Sequence, residues 1–304
     1  MDGPALITGA TSGLGRATAF ELARRGHPLV LVVRDLDRGE ATAREIREQH
    51  PGVVIEVRHG DLSDLTGVHV LADSLLVDGL LPRAVVCNAG LQVVDGVQRT
   101  GDGLEMTMAT NVVGHVALLA PLLEHLRPGA RIVTLGSETH RGGLRAFGFP
   151  AARWTGMRTL LDPPAEAPRS SNAGRVRYST SKLACIALAY EIDRRWRDRG
   201  VRAVCFDPGL MPATGLAREY PPAVRAVYAA LTPALVRMPG AGSVSESAGN
   251  LAWLAGDPAA EGLMGSYVSG RRARKSSPET YRDGIGAEIW ETSLVAAGID
   301  PVDA

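Results

Sequence analysis

Short apolar segments alternate with amphipathic segments through the first two hundred residues. Helical periodicity fills the intervals between the apolar segments, and repeated strand–helix–strand units with continuously apolar strands are typical of a parallel sheet covered on both faces. The pattern therefore predicts the α/β class, with a Rossmann-like doubly wound parallel sheet. The strands are expected at 4–8, 29–33, 53–58, 84–87, 130–135 and 201–206, and the helices at 14–25, 37–49, 64–77, 103–126 and 179–199.

Two segments interrupt the alternation. Residues 139–176 are broken by glycines and prolines, and we interpret them as a long functional insertion before Tyr178. Residues 210–240 carry apolar side chains at helical spacing, which fits either an ordinary core helix or a lid over a hydrophobic substrate, and the sequence leaves both open. Since no linker divides the chain, we predict a single domain over residues 1–304.

Composition excludes several classes of function. The formal net charge is zero, so no nucleic-acid partner is expected, and the basic run 271–275 is interpreted as a solvated loop or C-terminal contact. The cysteines lack CxxC spacing and the histidines lack metal-ligand spacing, which favours reduced thiols and no metal. Because a strand already begins near Ala5, we expect no signal peptide or integral membrane contact, and a cytoplasmic location.

A glycine-rich loop follows the first predicted strand and opens the first helix. Its spacing is G-x-x-x-G-x-G, and glycines there permit a tight turn and let a pyrophosphate lie against the helix N-terminus. The sequence therefore predicts a dinucleotide site. The loop residues assigned to it are Gly9, Thr11, Ser12, Gly13, Leu14 and Gly15.

The second predicted strand ends at Arg34-Asp35, with Arg38 one turn later. An acidic side chain at this point binds a ribose 2′-hydroxyl, whereas arginine suits a 2′-phosphate. We therefore predict NADP(H) rather than NAD(H), although Arg34 next to Asp35 also fits a simple surface position. Further along, two strand ends are assigned to the same site, Asp61 and Leu62 at the adenine and Asn88, Ala89 and Gly90 at the ribose.

Tyr178 and Lys182 stand four residues apart within a predicted helix, and Lys182 is one of two lysines in the chain. This spacing places the phenol and the ammonium on one helix face. A neighbouring cation lowers the pKa of a phenol, and such a phenol can exchange a proton with a substrate oxygen. The pair is thus a candidate acid–base site.

These motifs, in their order along the chain, resemble the short-chain dehydrogenase/reductase family. The similar branch contains the retinol dehydrogenases, WW-domain oxidoreductases and light-dependent protochlorophyllide reductases. The residues that carry the resemblance are Thr8-Gly9-x3-Gly13-x-Gly15, Asn88-Ala89-Gly90, Asn111, Ser137, Tyr178-x3-Lys182 and Pro208-Gly209.

The resemblance implies a catalytic tetrad. Tyr178 would be the general acid, Ser137 would hydrogen-bond the carbonyl oxygen, Lys182 would bind the nicotinamide ribose, and Asn111 would anchor a water. From the residues alone, Ser137 also fits a strand-end turn and Asn111 a locally satisfied polar side chain. Pro208, Gly209 and Thr214 are assigned to the cofactor, although Thr214 lies one residue beyond the usual spacing. His140 is expected to make a loop-stabilising hydrogen bond.

The implied activity is hydride transfer between NADP(H) and a carbonyl/alcohol pair of an apolar small molecule, with ketone or aldehyde reduction favoured. A light-dependent pigment reductase and a non-catalytic NADP(H) redox sensor are the alternatives. The first is suggested by the 208–218 stretch but weakened by the lack of cysteine between 88 and 184. Apolar residues on several faces of two predicted helices favour a homo-oligomer. The hypothetical pocket-lining residues are Phe147, Phe149, Trp154, Met211, Tyr220 and Tyr228.

Overall fold

An eight-stranded sheet forms the centre of the described part of the chain. The structure is a computed structural model, and it describes residues 3–143, 146, 148–209 and 243–301. Within these residues the strand order is β3-β2-β1-β4-β5-β6-β7-β8. All neighbouring strands are parallel except the last pair, β7 and β8. The strands are β1 Ala5–Thr8, β2 Leu29–Val33, β3 Ile55–His59, β4 Ala84–Cys87, β5 Arg131–Leu135, β6 Arg202–Asp207, β7 Tyr267–Ser269 and β8 Arg272–Arg274.

Helices cover both faces of this sheet. Several begin at a side chain that accepts a backbone N–H of the first turn, as Asp35, Asp64, Ser170 and Ser243 do, which satisfies a donor that the helix itself leaves unpaired. The helices are α1 Gly13–Arg24, α2 Leu36–Gln49, α3 Leu65–Val77, α4 Met106–Leu123, α5 Met157–Leu161, α6 Ser171–Trp196, α7 Val244–Gly256 and α8 Ile285–Ala296.

The two faces of the sheet supply the two largest hydrophobic clusters of the described residues. On β1, Leu6 packs with α3, α4, α6 and α8 on one face, while Ala5 and Ile7 pack with α1, α2 and α7 on the other. The strand order reverses between β1 and β4, because the chain crosses from β3 at one edge to the far side of β1. This is the point where an open α/β sheet forms a ligand crevice. The α/β class and the doubly wound sheet are confirmed.

Helix α4 is apolar on nearly all sides. Among the described helices, Met106–Leu123 is the one whose length and composition would suffice to cross a membrane, and 89% of that stretch is buried inside the protein. The helix packs against α3, α6 and α8. These neighbours account for the several apolar faces from which association was expected, so the homo-oligomer stays a prediction.

Two predicted boundaries and one loop assignment were wrong. The helix expected at 179–199 begins at Ser171, because Ser170 caps it and its first two turns are too polar to show an apolar period. The insertion at 139–176 therefore ends inside α6, and it also contains α5. The basic run at 271–275 contains β8, whose three exposed residues Arg272–Arg274 form the sheet edge; charged side chains protect such edges from further pairing. The segment 210–240 lies outside the described residues.

Candidate active site

The glycine loop brings the start of α1 close to β4. Gly9 and Gly13 have φ of +70° and +54°, a region that side chains rarely adopt. At Gly15 the reason for glycine is different, because a Cβ there would overlap Asn88 Nδ2 and the Gly9 carbonyl oxygen. The first N–H groups of α1, after Ser12 at its N-cap, have no partner within the helix. Thr11 and the buried Leu14 complete this loop.

The loop after β4 is hydrogen-bonded to the end of β1 and the start of the glycine loop. Asn88 Nδ2 donates to the Thr8 carbonyl at 2.8 Å and to that of Gly9 at 3.2 Å. The Ala89 N–H donates to Thr8 Oγ1 at 2.9 Å. A Cβ at Gly90 would lie 3.0 Å from Asn111 Oδ1 and 3.9 Å from Lys182 Nζ. Small residues here therefore expose the floor between two strand ends.

Charged residues follow β2 and β3 at the same sheet edge. The Arg34 guanidinium lies 4.0 Å from the Asp61 carboxylate, with 66% of the arginine side chain exposed. Asp35 is engaged elsewhere, because its Oδ1 caps α2 by accepting the Arg38 N–H at 3.0 Å. The Asp35 carboxylate is thus committed to the helix, and Arg34 is the cation that projects beyond the end of β2.

Asp61 and Leu62 have structural roles as well. Asp61 Oδ1 accepts hydrogen bonds from the backbone N–H and the hydroxyl of Ser63, at 3.0 and 2.7 Å. Leu62 is buried, and its carbonyl packs so tightly against Gly114 of α4 that a Cβ there would overlap it. Both residues lie at the carboxyl end of β3, as predicted, and the side chain of Arg38 is exposed on α2.

Lys182 is buried beside Tyr178. Its Nζ donates to the Leu135 carbonyl at 3.0 Å and lies 5.6 Å from the centre of the Tyr178 ring. Burial alone would lower the pKa of Lys182, but interactions with the Tyr178 phenol and with Cys185 act against it, and the pKa is raised from its usual value. The ammonium is therefore charged at neutral pH next to the phenol.

Asn111 joins the β4 loop to α6. Its Oδ1 accepts the Leu91 N–H at 2.8 Å, and its Nδ2 donates to the Leu91 carbonyl at 3.0 Å and to Ser181 Oγ at 2.9 Å. Ser181 Oγ in turn donates to the Tyr178 carbonyl at 2.8 Å. Asn111 lies in a π-helical turn, Ala109–Val113, within α4, and such turns recur at functional sites.

Ser137 follows β5 and caps a short 3₁₀ turn. Its Oγ accepts the Thr139 N–H at 3.3 Å. His140 Nε2 accepts the Ser277 N–H at 3.0 Å, so the ring hydrogen is on Nδ1, and Nδ1 donates to the Ser137 carbonyl at 2.6 Å. The loop-stabilising bond predicted for His140 is confirmed, and it holds the backbone of Ser137 itself.

Two of the hypothetical pocket residues have clear neighbours. The Phe149 ring lies 6.1 Å from the ring of Tyr178, which agrees with a place beside the reacting group. Trp154 instead donates its indole N–H to Glu288 of α8 at 3.3 Å, so it is engaged with the C-terminal helix. The other residues assigned to the pocket, and Thr214, lie outside the described residues: Phe147, Met211, Tyr220 and Tyr228.

The end of β6 forms the last wall of the site. The Pro208 carbonyl accepts a hydrogen bond from the Ser247 hydroxyl at 2.8 Å, and Gly209 has φ of +72°. The Gly209 N–H donates to Asp207 Oδ1 at 3.0 Å. Burial raises the pKa of Asp207 to about 6. Pro208 and Gly209 thus follow the strand next to β5, as the assignment to the cofactor requires.

Sequence reasoning missed His115. Its Nε2 lies 3.0 Å from Thr8 Oγ1 and its Nδ1 lies 3.1 Å from the Asn111 carbonyl. Burial lowers the pKa of His115 to about 4, so the ring is neutral and links the glycine loop to the turn of Asn111. A histidine four residues after Asn111 in an otherwise apolar helix was the available signal. Within the described ranges, three or more His, Cys, Asp or Glu side chains nowhere gather as metal ligands.

Known proteins resemble the chain over nearly its whole length. The short chain dehydrogenase family model matches residues 4–152. A daunorubicin C-13 ketoreductase candidate of Streptomyces sp. (strain C5) is 33% identical, over 96% of this chain and 92% of that protein. Mouse (Mus musculus) retinol dehydrogenase 11 is 30% identical, over 98% of this chain and 87% of that protein.

Solved structures share the fold. A blue fluorescent protein from a metagenomic library, in complex with NADPH, aligns with a TM-score of 0.65 and 22% identity, over 90% of this chain and 98% of that chain. An NADPH-dependent reductase involved in bacilysin biosynthesis aligns with a TM-score of 0.62 and 18% identity, over 88% and 98%. At these identities the likeness concerns the fold.

Proposed function

Because the chain belongs to the short-chain dehydrogenase/reductase family, we propose that it uses NADP(H) to reduce a ketone or aldehyde of an apolar small molecule. The observation that carries the proposal is the arrangement around Tyr178. A buried, charged Lys182 lies under its ring, and Asn111 is bonded through Ser181 to its backbone. Because burying a charge is costly, a buried ammonium beside a phenol favours a chemical role for the pair.

The cofactor fits the residues present. The glycine loop and the open first turn of α1 would hold the pyrophosphate, Asn88–Gly90 would border the ribose, and Lys182 would bond to the nicotinamide ribose. When bound, the nicotinamide supplies the hydride. A Cβ at position 15 would overlap its neighbours. Glycine at this position therefore lets the start of α1 and the β4 loop lie close together, which supports the assignment.

The residues of the chain handle the proton. The Tyr178 hydroxyl would protonate the carbonyl oxygen, and the Lys182 ammonium would stabilise the phenolate that remains. Ser137 would donate a second hydrogen bond to the same oxygen, where negative charge develops. His140 holds the Ser137 backbone at 2.6 Å, and Asn111 holds the loop that faces Lys182.

The decisive test of this chemistry is Tyr178→Phe. Loss of the phenolic proton should lower kcat by about two orders of magnitude or more, while NADPH affinity changes little because the ring is retained. Tyr281→Phe, at a half-exposed tyrosine packed against Tyr190 of α6, is the matched control and should retain full activity. Near-normal turnover of the Tyr178 variant would remove the mechanism.

Arg34 supports NADP(H) over NAD(H). It projects from the end of β2, and the acidic residue next to it is used as a helix cap. A titration followed by nucleotide fluorescence should give at least about tenfold tighter binding of NADPH than of NADH. Arg34→Ala should remove most of that difference and leave NADH affinity unchanged. Arg44→Ala, at an exposed arginine on α2, is the control for a general loss of positive charge.

The relatives support the substrate class. Their names concern retinol and daunorubicin, both ring-containing molecules, and the Phe149 ring beside Tyr178 offers an apolar contact of the same kind. The 208–218 stretch that suggested a pigment reductase lies largely outside the described residues. For a redox sensor, NADPH would bind with the predicted preference while no carbonyl compound was reduced. A cytoplasmic location remains part of the proposal.

A further inference from the structure

The side chain of Gln92 is buried with its hydrogen-bonding capacity unused. It is 4% exposed, and neither Oε1 nor Nε2 has a hydrogen-bond partner among the residues that the structure describes. A buried polar group without a hydrogen-bond partner destabilises the folded protein. A leucine of similar size would avoid this cost, so the carboxamide requires an explanation beyond packing.

The position of Gln92 connects it to the proposed site. The residue before it, Leu91, is held on both its N–H and its carbonyl by Asn111. The residue after it, Val93, donates its N–H to Thr107 Oγ1 at 3.3 Å. The Val93 carbonyl lies so close to Gly174 of α6 that a Cβ at Gly174 would be 2.5 Å from it. Gln92 is therefore fixed between Asn111 and the turn of α6 that precedes Tyr178.

We propose that Gln92 is a substrate-recognition residue, and that the substrate carries a second oxygen, a hydroxyl or carbonyl, in addition to the carbonyl that is reduced. The inference rests on the function proposed above and specifies its substrate class. A carboxamide offers one acceptor and two donor hydrogens, which suits a hydroxyl group or a second carbonyl. The oxygen would satisfy the group that the fold leaves unpaired.

Such a residue acts mainly on selectivity. A site built to hydrogen-bond a substrate oxygen rejects the analogue without it strongly, because the buried polar group is then left unpaired. An apolar pocket discriminates much less between the same two compounds. Gln92 should therefore favour oxygenated ketones without being required for hydride transfer itself.

The experiment compares the NADPH-dependent reduction of 1-tetralone and 2-naphthaldehyde with that of their monohydroxylated derivatives. For at least one hydroxyl position, the wild-type protein should have kcat/KM at least about tenfold higher than for the parent compound. Gln92→Leu should remove this preference, by lowering kcat/KM for the hydroxylated compound toward that for the parent compound. Gln98→Leu makes the same chemical change at an exposed glutamine of the same segment and should alter neither.

Thermal unfolding without substrate provides an independent readout. Gln92→Leu should raise the Tm because it removes a polar group that is unsatisfied in the free protein, whereas Gln98→Leu should leave it unchanged. A wild-type protein that reduces the parent compounds but shows no hydroxyl preference overturns the inference, as does a preference that survives in Gln92→Leu. No reduction of any carbonyl compound would instead refute the proposed function, and the inference with it.

Discussion

Polar side chains are hydrogen-bonded to one another on one side of the site, and among the described residues several have buried atoms without hydrogen bonds on the other. On the cofactor side, residues 8–15 and 88–90, the polar side chains bond to one another across the sheet, as Asn88 does with Thr8. On the substrate side, residues 91–96 and 139–177, several buried polar atoms lack hydrogen-bond partners among the described residues, including atoms of Gln92, Thr139 and Arg175. Because a cofactor has a fixed shape, its site can be formed by loops whose polar groups are already hydrogen-bonded to one another. A particular substrate needs groups that the fold itself has not used.

The strongest test of the cofactor side is Gly15→Ala. Its Cβ would overlap Asn88 Nδ2 and the Gly9 carbonyl, so α1 must shift away from the β4 loop. We expect NADPH affinity to fall by about 100-fold or more, because displaced N–H groups lose the charge-assisted bonds to phosphate. Calorimetric or fluorescence titration measures the effect.

Gly249→Ala is the matched control for that substitution. Gly249 lies in α7, and a Cβ there would meet no atom within 4 Å. The change should leave NADPH affinity intact and stabilise the helix by roughly 0.5–1 kcal/mol. If Gly15→Ala bound NADPH as the wild type does, the tight contact between the two loops would have no role in binding.

Asn111→Leu should sharpen the contrast between the two sides. This carboxamide makes three hydrogen bonds, to Leu91 and Ser181, whereas that of Gln92 makes none with the described residues. Loss of several buried bonds at about 1 kcal/mol each, and the groups left unpaired, should lower the free energy of unfolding by about 3 kcal/mol or more. Chemical denaturation would measure the change. A stability equal to that of the wild type would mean that the satisfied network does not stabilise the fold.

His140 tests how firmly the substrate side positions Ser137. His140→Asn can still donate to the Ser137 carbonyl from the place of Nδ1, whereas His140→Gln can accept the Ser277 N–H but reaches past Ser137. If the hydrogen bond from His140 to the Ser137 carbonyl positions Ser137 for catalysis, kcat should fall about tenfold in the Gln variant and less in the Asn variant. NADPH affinity should stay constant in both. An equal fall in kcat in the two variants would indicate that His140 acts through the packing of its ring and not through this hydrogen bond.

The parts predicted from sequence are those set by local backbone requirements. Gly9, Gly15 and Asn88 were placed at two strand ends, which lie together in the structure, because glycine spacing after a strand reports on a turn; their role in binding a cofactor stays a prediction. The bond from His115 to Thr8 spans 107 positions, so the sequence marks His115 as a polar residue in an apolar helix but does not reveal its partner. The π turn around Asn111 was equally hidden, since it hardly alters the apolar period of α4.

Elsewhere the sequence signal was absent or misleading. The strands β7 and β8 have three residues each, too few for alternation to be recognised. The first turns of α6 are mostly polar, so they were interpreted as part of the insertion. Gln92 lies in a run of apolar residues where nothing distinguishes an unused carboxamide from a bonded one, and only the folded contacts reveal it.

The pH dependence of stability should differ in sign between two buried groups of the site, His115 and Asp207. Burial lowers the pKa of His115 to about 4; its contribution is present above the unfolded pKa near ~6.5 and is lost as pH falls toward 4. At the end of β6, burial raises the pKa of Asp207 to about 6. Its contribution is present below the unfolded value near ~3.9 and is lost as pH rises through 6.

Between pH 6.5 and 4 the two groups therefore oppose each other, each changing the free energy of unfolding by at most about 1.4 kcal/mol per pH unit. His115→Gln should lose less stability on acidification than the wild type, and Asp207→Asn should lose more. Urea denaturation at half-unit steps of pH, compared as slopes rather than absolute values, measures both. Parallel slopes for the three proteins would show that neither group titrates differently in the folded and unfolded states, and the electrostatic difference between the two positions would then be absent.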